Sequence, residues 1–294
     1  MRPLHLVLAL ALIFIWGFNF VVIHEGLREI PPITLCVIRF LLAAFPAVFF
    51  IRKPDVPWRV IIAYGMTMFV LQFAFLFGGM SLGISPGLSS IALQLHVFVT
   101  MLLAVLLLGE RPNAAQIAGA LLALGGMALI GLHLGGEVSL PGLAGVLLAA
   151  VAWGVANVMV KRMGRIDMFA LVVWGSLVAP LPLFGLALAV EGPDRMWAAV
   201  TGMTWLGAGA AAYIVYPVTL FGFSFWGWLL ARYPAATVVP LTLLVPIVGI
   251  GSSAIVLGEK LQGWKITAAL LVMAGLCINM FGPGWAARFS WKRG

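Results

Sequence analysis

Residues 86–112 read PGLSSIALQLHVFVTMLLAVLLLGERP. From Pro86 to Leu108 there is no Asp, Glu, Lys or Arg. A helix needs about 20 apolar residues to cross a ~30 Å hydrocarbon core, and this run supplies them. Lipid offers the backbone no hydrogen bonds, so the run must be helical. Ser85 suits the N-cap and Pro86 the first helical position. Gly109, like Gly258 later in the chain, suits a helix end, while Glu110, like Glu259, favours the start of the next helix through its dipole.

The same pattern recurs along the chain. We expect ten spans, at 4–23, 33–51, 60–80, 86–108, 114–132, 140–160, 168–190, 204–230, 235–257 and 263–281. Of the 294 residues 63% are hydrophobic and 9% charged, against about 25% charged in soluble domains. Short connections leave no room for a soluble domain. The first segment lacks the cleavage site of a secretory signal. Cys36 and Cys277 both sit in apolar spans without metal spacing and read as packing residues.

Orientation follows from the Lys and Arg of the loops. With a cytoplasmic N-terminus, the inner segments hold Arg2, Arg52, Lys53, Arg59, Arg111, Lys161, Arg162, Arg165, Arg232, Arg288, Lys292 and Arg293. The outer ones hold Arg28, Arg195, Lys260 and Lys265, and Arg39 lies within a span. Both termini are therefore expected inside. The net charge of +8 is a topology signal, and no basic surface domain exists for nucleic acid.

The quoted run also has a copy. VLLLGERP (105–112) is echoed by AIVLGEKL (254–261), and Glu110 and Glu259 are 149 residues apart. At that same offset Gly126 falls on Gly275. Trp16-Gly17 is echoed by Trp153-Gly154. Spans one to five (residues 1–136) and six to ten (137–294) read as two copies of one unit. An odd number of spans per copy makes the copies inverted. Inverted repeats are a common plan of secondary transporters, with the substrate held near the midplane between the halves. Duplication can also build symmetric proteins that transport nothing.

WGFNF in span one, IRF in span two, LGE after span four and the five-plus-five repeat resemble the EamA branch of the drug/metabolite transporter superfamily. The strings WGFNFVVI, IRFLLAAFPAVFF, QFAFLFG, LGER, WGWLLARY and LLVPIVG look like the group within that branch that exports O-acetylserine and cysteine. The resemblance covers nearly the whole chain. It implies an all-helical bacterial inner-membrane exporter of small metabolites, with ten helices and no cofactor. That group carries glutamine at the position of His96 and tyrosine-glycine at Phe223-Ser224, two departures that bear on substrate.

Candidate substrate residues follow from polarity at depth. Arg39 lies about 9 Å into span two at 1.5 Å per residue. It either binds a substrate carboxylate with its planar donor fork or snorkels outward to Glu25 or Glu29. Asn19 shares a helical face with Trp16, and can serve a carboxylate and an ammonium at once or act as interhelical glue. Asn157, its counterpart, reads more as packing. Ser89, His96 and Thr100 form one stripe of span four, and Ser90 and Gln94 an adjacent one. Histidine has a reference pKa of ~6.5, which makes His96 a candidate proton acceptor, against a neutral histidine bonded to a neighbouring helix. Gln72 stands alone among aromatics. Trp174, Tyr213, Tyr216, Trp226 and Trp228 could wall a cavity and attract ammonium groups. Trp58, Trp197, Trp205, Trp285 and Trp291 read as interfacial, and His24 as a rim residue. Pro234, Pro240 and Pro246 permit kinks.

All nine acids fall at span ends or in loops, which argues against a carboxylate relay at the midplane. No HExxH, GxSxG, intramembrane acid pair or GxxxxGK[ST] is present, which argues against an enzyme or an ATP-driven pump. A channel would predict ohmic conductance rather than saturable flux. The expected partners are the lipid bilayer and a small amino-acid-like molecule, exported by alternating access; a homodimer is left open. Aromatic amino acids, other amino acids and amphipathic drugs are the alternative substrates.

Overall fold

The computed structural model describes residues 2–135, 138–164, 166–233 and 238–290. Glu137, Arg165, Pro234, Trp291, Lys292 and Arg293 lie outside the described residues. Among the described residues nine helices are long and apolar enough to cross a membrane. They are Pro3–Leu27, Pro32–Phe49, Trp58–Ser81, Pro86–Leu108, Ala114–Leu132, Leu140–Met163, Met168–Val190, Trp205–Trp226 and Gly263–Gly282. A shorter apolar helix, Leu241–Leu257, stands ninth in chain order. We number the ten as spans in that order. Their bounds follow the apolar runs, except that the α-helix of span two stops at Ala44 ahead of a 3₁₀ turn at Ala47–Phe49, the apolar helix of span nine begins at Leu241 rather than 235, and the last helix continues to Ser290. A short helix, Pro193–Thr201, joins spans seven and eight.

The caps follow the sequence in part. Ser85 Oγ accepts from the Leu88 N–H, with Pro86 at the first helical position. Gly109 and Gly258 adopt left-handed conformations at φ 69° and 67° and end spans four and nine. A side chain there would crowd the following carbonyl, so glycine is the residue that fits. Glu110 does not start the next helix. Asn113 and Gln116 form a capping box at span five, which satisfies those N–H groups, and Glu110 pairs with Lys161 instead.

Several spans depart from regular α-helix. Span three passes through a π turn at Met66–Leu71, and span eight through one at Ile214–Phe221. Span four tightens to a 3₁₀ turn at Leu93–Leu95, and span nine begins with one at Val239–Leu243, which holds Pro240. Shifted by 149 residues, the turn of span three overlaps that of span eight, and the turn of span four overlaps that of span nine. In span eight the cause is local. Pro217 has no N–H and its ring displaces the preceding carbonyl, so the turn widens.

Glycines set the closest helix contacts. Spans five and ten cross where a Cβ on Gly119 would lie 2.5 Å from the Gly275 carbonyl, and one on Gly126 would lie 2.8 Å from the Ala268 carbonyl. Gly119 and Ala268 are themselves 149 residues apart, as are Gly126 and Gly275, so the contact maps onto itself. Gly17 of span one packs on Val248 of span nine, and Gly154 of span six on Val99 of span four, each within 2.5 Å of a built Cβ. Small residues let helices approach closely in this way.

Candidate functional site

The widened turn of span eight organises the site. Thr219 sits in it, fully buried, and its hydroxyl donates to the Ile214 carbonyl at 2.8 Å. Arg39 Nε donates to the same Thr219 Oγ1 at 3.1 Å. The Arg39 guanidinium lies over the Phe73 ring, 3.8 Å from its centroid, with Phe40 at 5.3 Å. The residue is only 1% exposed. Snorkelling is therefore excluded. Glu25 is taken by Arg28 and Glu29 by Thr204, so neither reaches Arg39. Among the described residues no carboxylate pairs with Arg39, and its Nη1 has no hydrogen-bond partner.

That arrangement is expensive. Removing an ion from water costs several kcal/mol in real proteins, and a cation–π contact of about 2 kcal/mol offsets only part. The Arg39 guanidinium is thus buried with a donor nitrogen unmet.

Other buried polar atoms are also unclaimed. Asn19 Oδ1, Gln72 Oε1, His96 Nδ1 and the hydroxyls of Ser89, Ser176 and Ser253 have no partner. Buried polar groups are nearly always bonded, so each needs an explanation. Asn19 and Gln72 offer acceptors, and Arg39 offers a donor. An α-amino acid carries the complements of both, ammonium and carboxylate.

The structure sorts the sequence candidates into groups. Trp16 Nε1 donates to the Val218 carbonyl at 3.2 Å, beside Thr219, and its ring meets Phe223 at 5.8 Å and Trp226 at 5.4 Å. Tyr213 donates to the Ile15 carbonyl at 3.0 Å. Trp16, Arg39 and Tyr213 thus converge on spans one and eight, with Asn19 one turn along from Trp16. A second group lies where spans four and six meet. His96 stacks on Trp153 at 4.1 Å, and no hydrogen bond to a neighbouring helix forms at Nδ1. Asn157 Nδ2 donates to Thr100 Oγ1 at 3.0 Å, so its amide is occupied in a helix contact. Ser90 donates to the Gly87 carbonyl and sits against Gly249, while Gln94 lies in the 3₁₀ turn.

Trp174 joins neither group. Its Nε1 donates to the Ile51 carbonyl and its ring packs edge-on to Trp58 at 5.6 Å, near the ends of spans two and three. Tyr216 is half exposed and Trp228 packs on His5. Of the expected aromatic wall, Tyr213 and Trp226 stand beside span one, where Trp226 and Phe223 pack on Trp16. Thr219 was missed from sequence. A lone hydroxyl two residues after a mid-span proline was the available signal.

The family model described as the EamA-like transporter family matches twice, over residues 4–132 and 140–281. The chain belongs to this family. Like other members it is a multi-pass membrane protein. A "Probable amino-acid metabolite efflux pump" of Escherichia coli (strain K12) is 39% identical over 285 residues, with 95% of each chain covered. Its namesake in Salmonella typhimurium is 40% identical, with 94% of each covered. A "Probable terminal-alkyne amino-acid exporter" of Streptantibioticus cattleyicolor is 28% identical, over 66% of this chain and 64% of its own. A solved crystal structure at 20% identity superposes with a TM-score of 0.61, covering 95% of this chain and 99% of its own, which shows the shared fold.

Proposed function

We propose that this EamA-family chain is a bacterial inner-membrane exporter of small amino-acid metabolites of the cysteine and O-acetylserine type. It works by alternating access of two inverted halves, residues 1–136 and 137–294, with both termini in the cytoplasm. The buried, acid-free Arg39 is the observation that carries the reading, because it supplies what a substrate carboxylate needs. The carboxylate docks on the open Nη1, and the ammonium group reaches the free oxygens of Asn19 and Gln72. Trp16, Tyr213, Ser90, Gln94 and His96 shape the remainder. Trp174 and Asn157, whose polar groups are spoken for, play structural parts.

The inverted arrangement is supported by the self-mapping crossing of spans five and ten and by irregular turns that recur at one offset. Interrupted helices near the repeat interface are where transporters hold substrate. The excess of Lys and Arg in the loops at the N-terminal end supports the orientation.

Proteoliposomes loaded with labelled cysteine or O-acetylserine test the reading. Saturable, protein-dependent release is expected, and its absence refutes it. The Trp16–Phe223–Trp226 cluster favours a second reading, export of aromatic amino acids or amphipathic drugs. Phenylalanine run beside cysteine in the same assay separates the two.

A further inference from the structure

Three carboxylates at one end of the bundle each cap a helix that is not their own. Glu191, after span seven, accepts from the N–H groups of Ile33 at 2.6 Å and Thr34 at 2.9 Å, and from the Thr34 hydroxyl at 2.6 Å. These groups open span two. Glu259, after span nine, accepts from the Ser85 hydroxyl at 2.6 Å and the Gly87 N–H at 3.2 Å, at the start of span four. Lys265 also lies 3.2 Å from Glu259, and both side chains are almost fully buried. Glu29, after span one, accepts from the Thr204 hydroxyl at 2.7 Å and N–H at 3.3 Å, where span eight begins. The first N–H groups of a helix lack internal partners and carry a partial positive charge, so an anion is held well there.

The pairing is not arbitrary. Span seven is tied to two, nine to four, and one to eight. Each tie joins a span of residues 1–136 to a span of 137–294. At the opposite end the contacts between these two segments are of another kind. Glu110 meets Lys161 in a solvent-exposed pair, Trp174 donates to the Ile51 carbonyl, and Arg162 donates to the Leu107 carbonyl.

We propose that Glu29, Glu191 and Glu259 are the clasps of a gate that closes this end of the bundle, and that opening withdraws each carboxylate from the helix it caps. The proposal rests on the two-half reading above. The chemistry makes the closure reversible. When the halves part, both the helix ends and the carboxylates regain water, so neither side is left with an unmet group. Bonds to a charged acceptor are roughly twice as strong as neutral ones, so neutralising one clasp should raise the open fraction about fivefold.

The test measures distances rather than flux, so a failure of the transport reading would not be mistaken for a failure of this one. In nanodisc-embedded full chain with Cys36 and Cys277 replaced by serine, one spin-label pair goes at Leu82 and Leu261, on the clasped end. A second goes at Asp55 and Arg232, on the other. All four side chains are exposed. In Glu191→Gln/Glu259→Gln, double electron–electron resonance should show a longer Leu82–Leu261 population, enlarged at least tenfold, with a shorter Asp55–Arg232 distance appearing alongside it. Unchanged distributions overturn the proposal. So does a longer Leu82–Leu261 distance with no change at the far pair, which is a frayed cap. If the double variant does not fold, Glu29→Gln, at the most accessible of the three, carries the same pair of measurements and the same two refutations.

Discussion

Replacing Arg39 by methionine should leave the fold nearly as stable as before and destroy recognition of carboxylates. Methionine keeps an unbranched apolar stem against Phe73. The change removes the Thr219 bond, worth about 1.5–3 kcal/mol for a charged donor, and a cation–π contact of about 2 kcal/mol. It also removes the cost of keeping a guanidinium with no counter-charge out of water, which is several kcal/mol. The terms nearly cancel, so the melting midpoint should stay within about 4 °C of wild type. Transport has no such compensation. Truncating one side of a buried charge pair costs about 2–5 kcal/mol, roughly thirtyfold to several thousandfold in apparent affinity. The assay is concentration-dependent flux of cysteine and of cysteamine, its decarboxylated counterpart, in proteoliposomes. Wild type should favour cysteine by that factor, and Arg39→Met should hardly distinguish them. Arg39→Lys, which keeps the charge but loses the fork, should fall between. Unchanged cysteine KM in Arg39→Met, or equal handling of both compounds by wild type, refutes the reasoning.

Two further outcomes follow from particular contacts. Asn19→Ala should raise the KM for cysteine several-fold more than Asn157→Ala does, since Asn157 serves Thr100 and its loss should cost about 1 kcal/mol of stability, read from melting midpoints. Gly275→Val should lower the yield of folded, monodisperse protein on size-exclusion chromatography. The obstacle at Gly275 is the backbone of Gly119 and Ala123, and overpacking costs about 1–3 kcal/mol even where side chains can yield.

The spans were legible in the sequence because each apolar run is long enough to force a helix in lipid. The helix ends at Gly109 and Gly258 were legible because a left-handed residue selects glycine. What escaped depends on contacts far apart in the chain. Met66–Leu71 has an ordinary helical composition, and nothing in it announces a widened turn. Arg39 had two open fates because the deciding residues, Phe73 and Thr219, lie in other spans. Glu259 was expected to serve the helix that follows it, yet it caps span four. Glu191 was only a loop acid until its partners Ile33 and Thr34 were known. Lys265 counted as a loop cation, and the structure buries it against Glu259.

The crossing of spans five and ten carries a mechanical consequence. Helix angles are ordinarily fixed because the side-chain ridges of one helix seat in the grooves of the other. Gly119, Gly126 and Gly275 lower that relief where the two helices meet, so backbone faces backbone, with Val272 and Asn279 seated in the hollows beside them. No flexible side chain lies between the two main chains to take up a tilt. The pair is a tight seam, and a change of angle there would drive a carbonyl of one helix into the other.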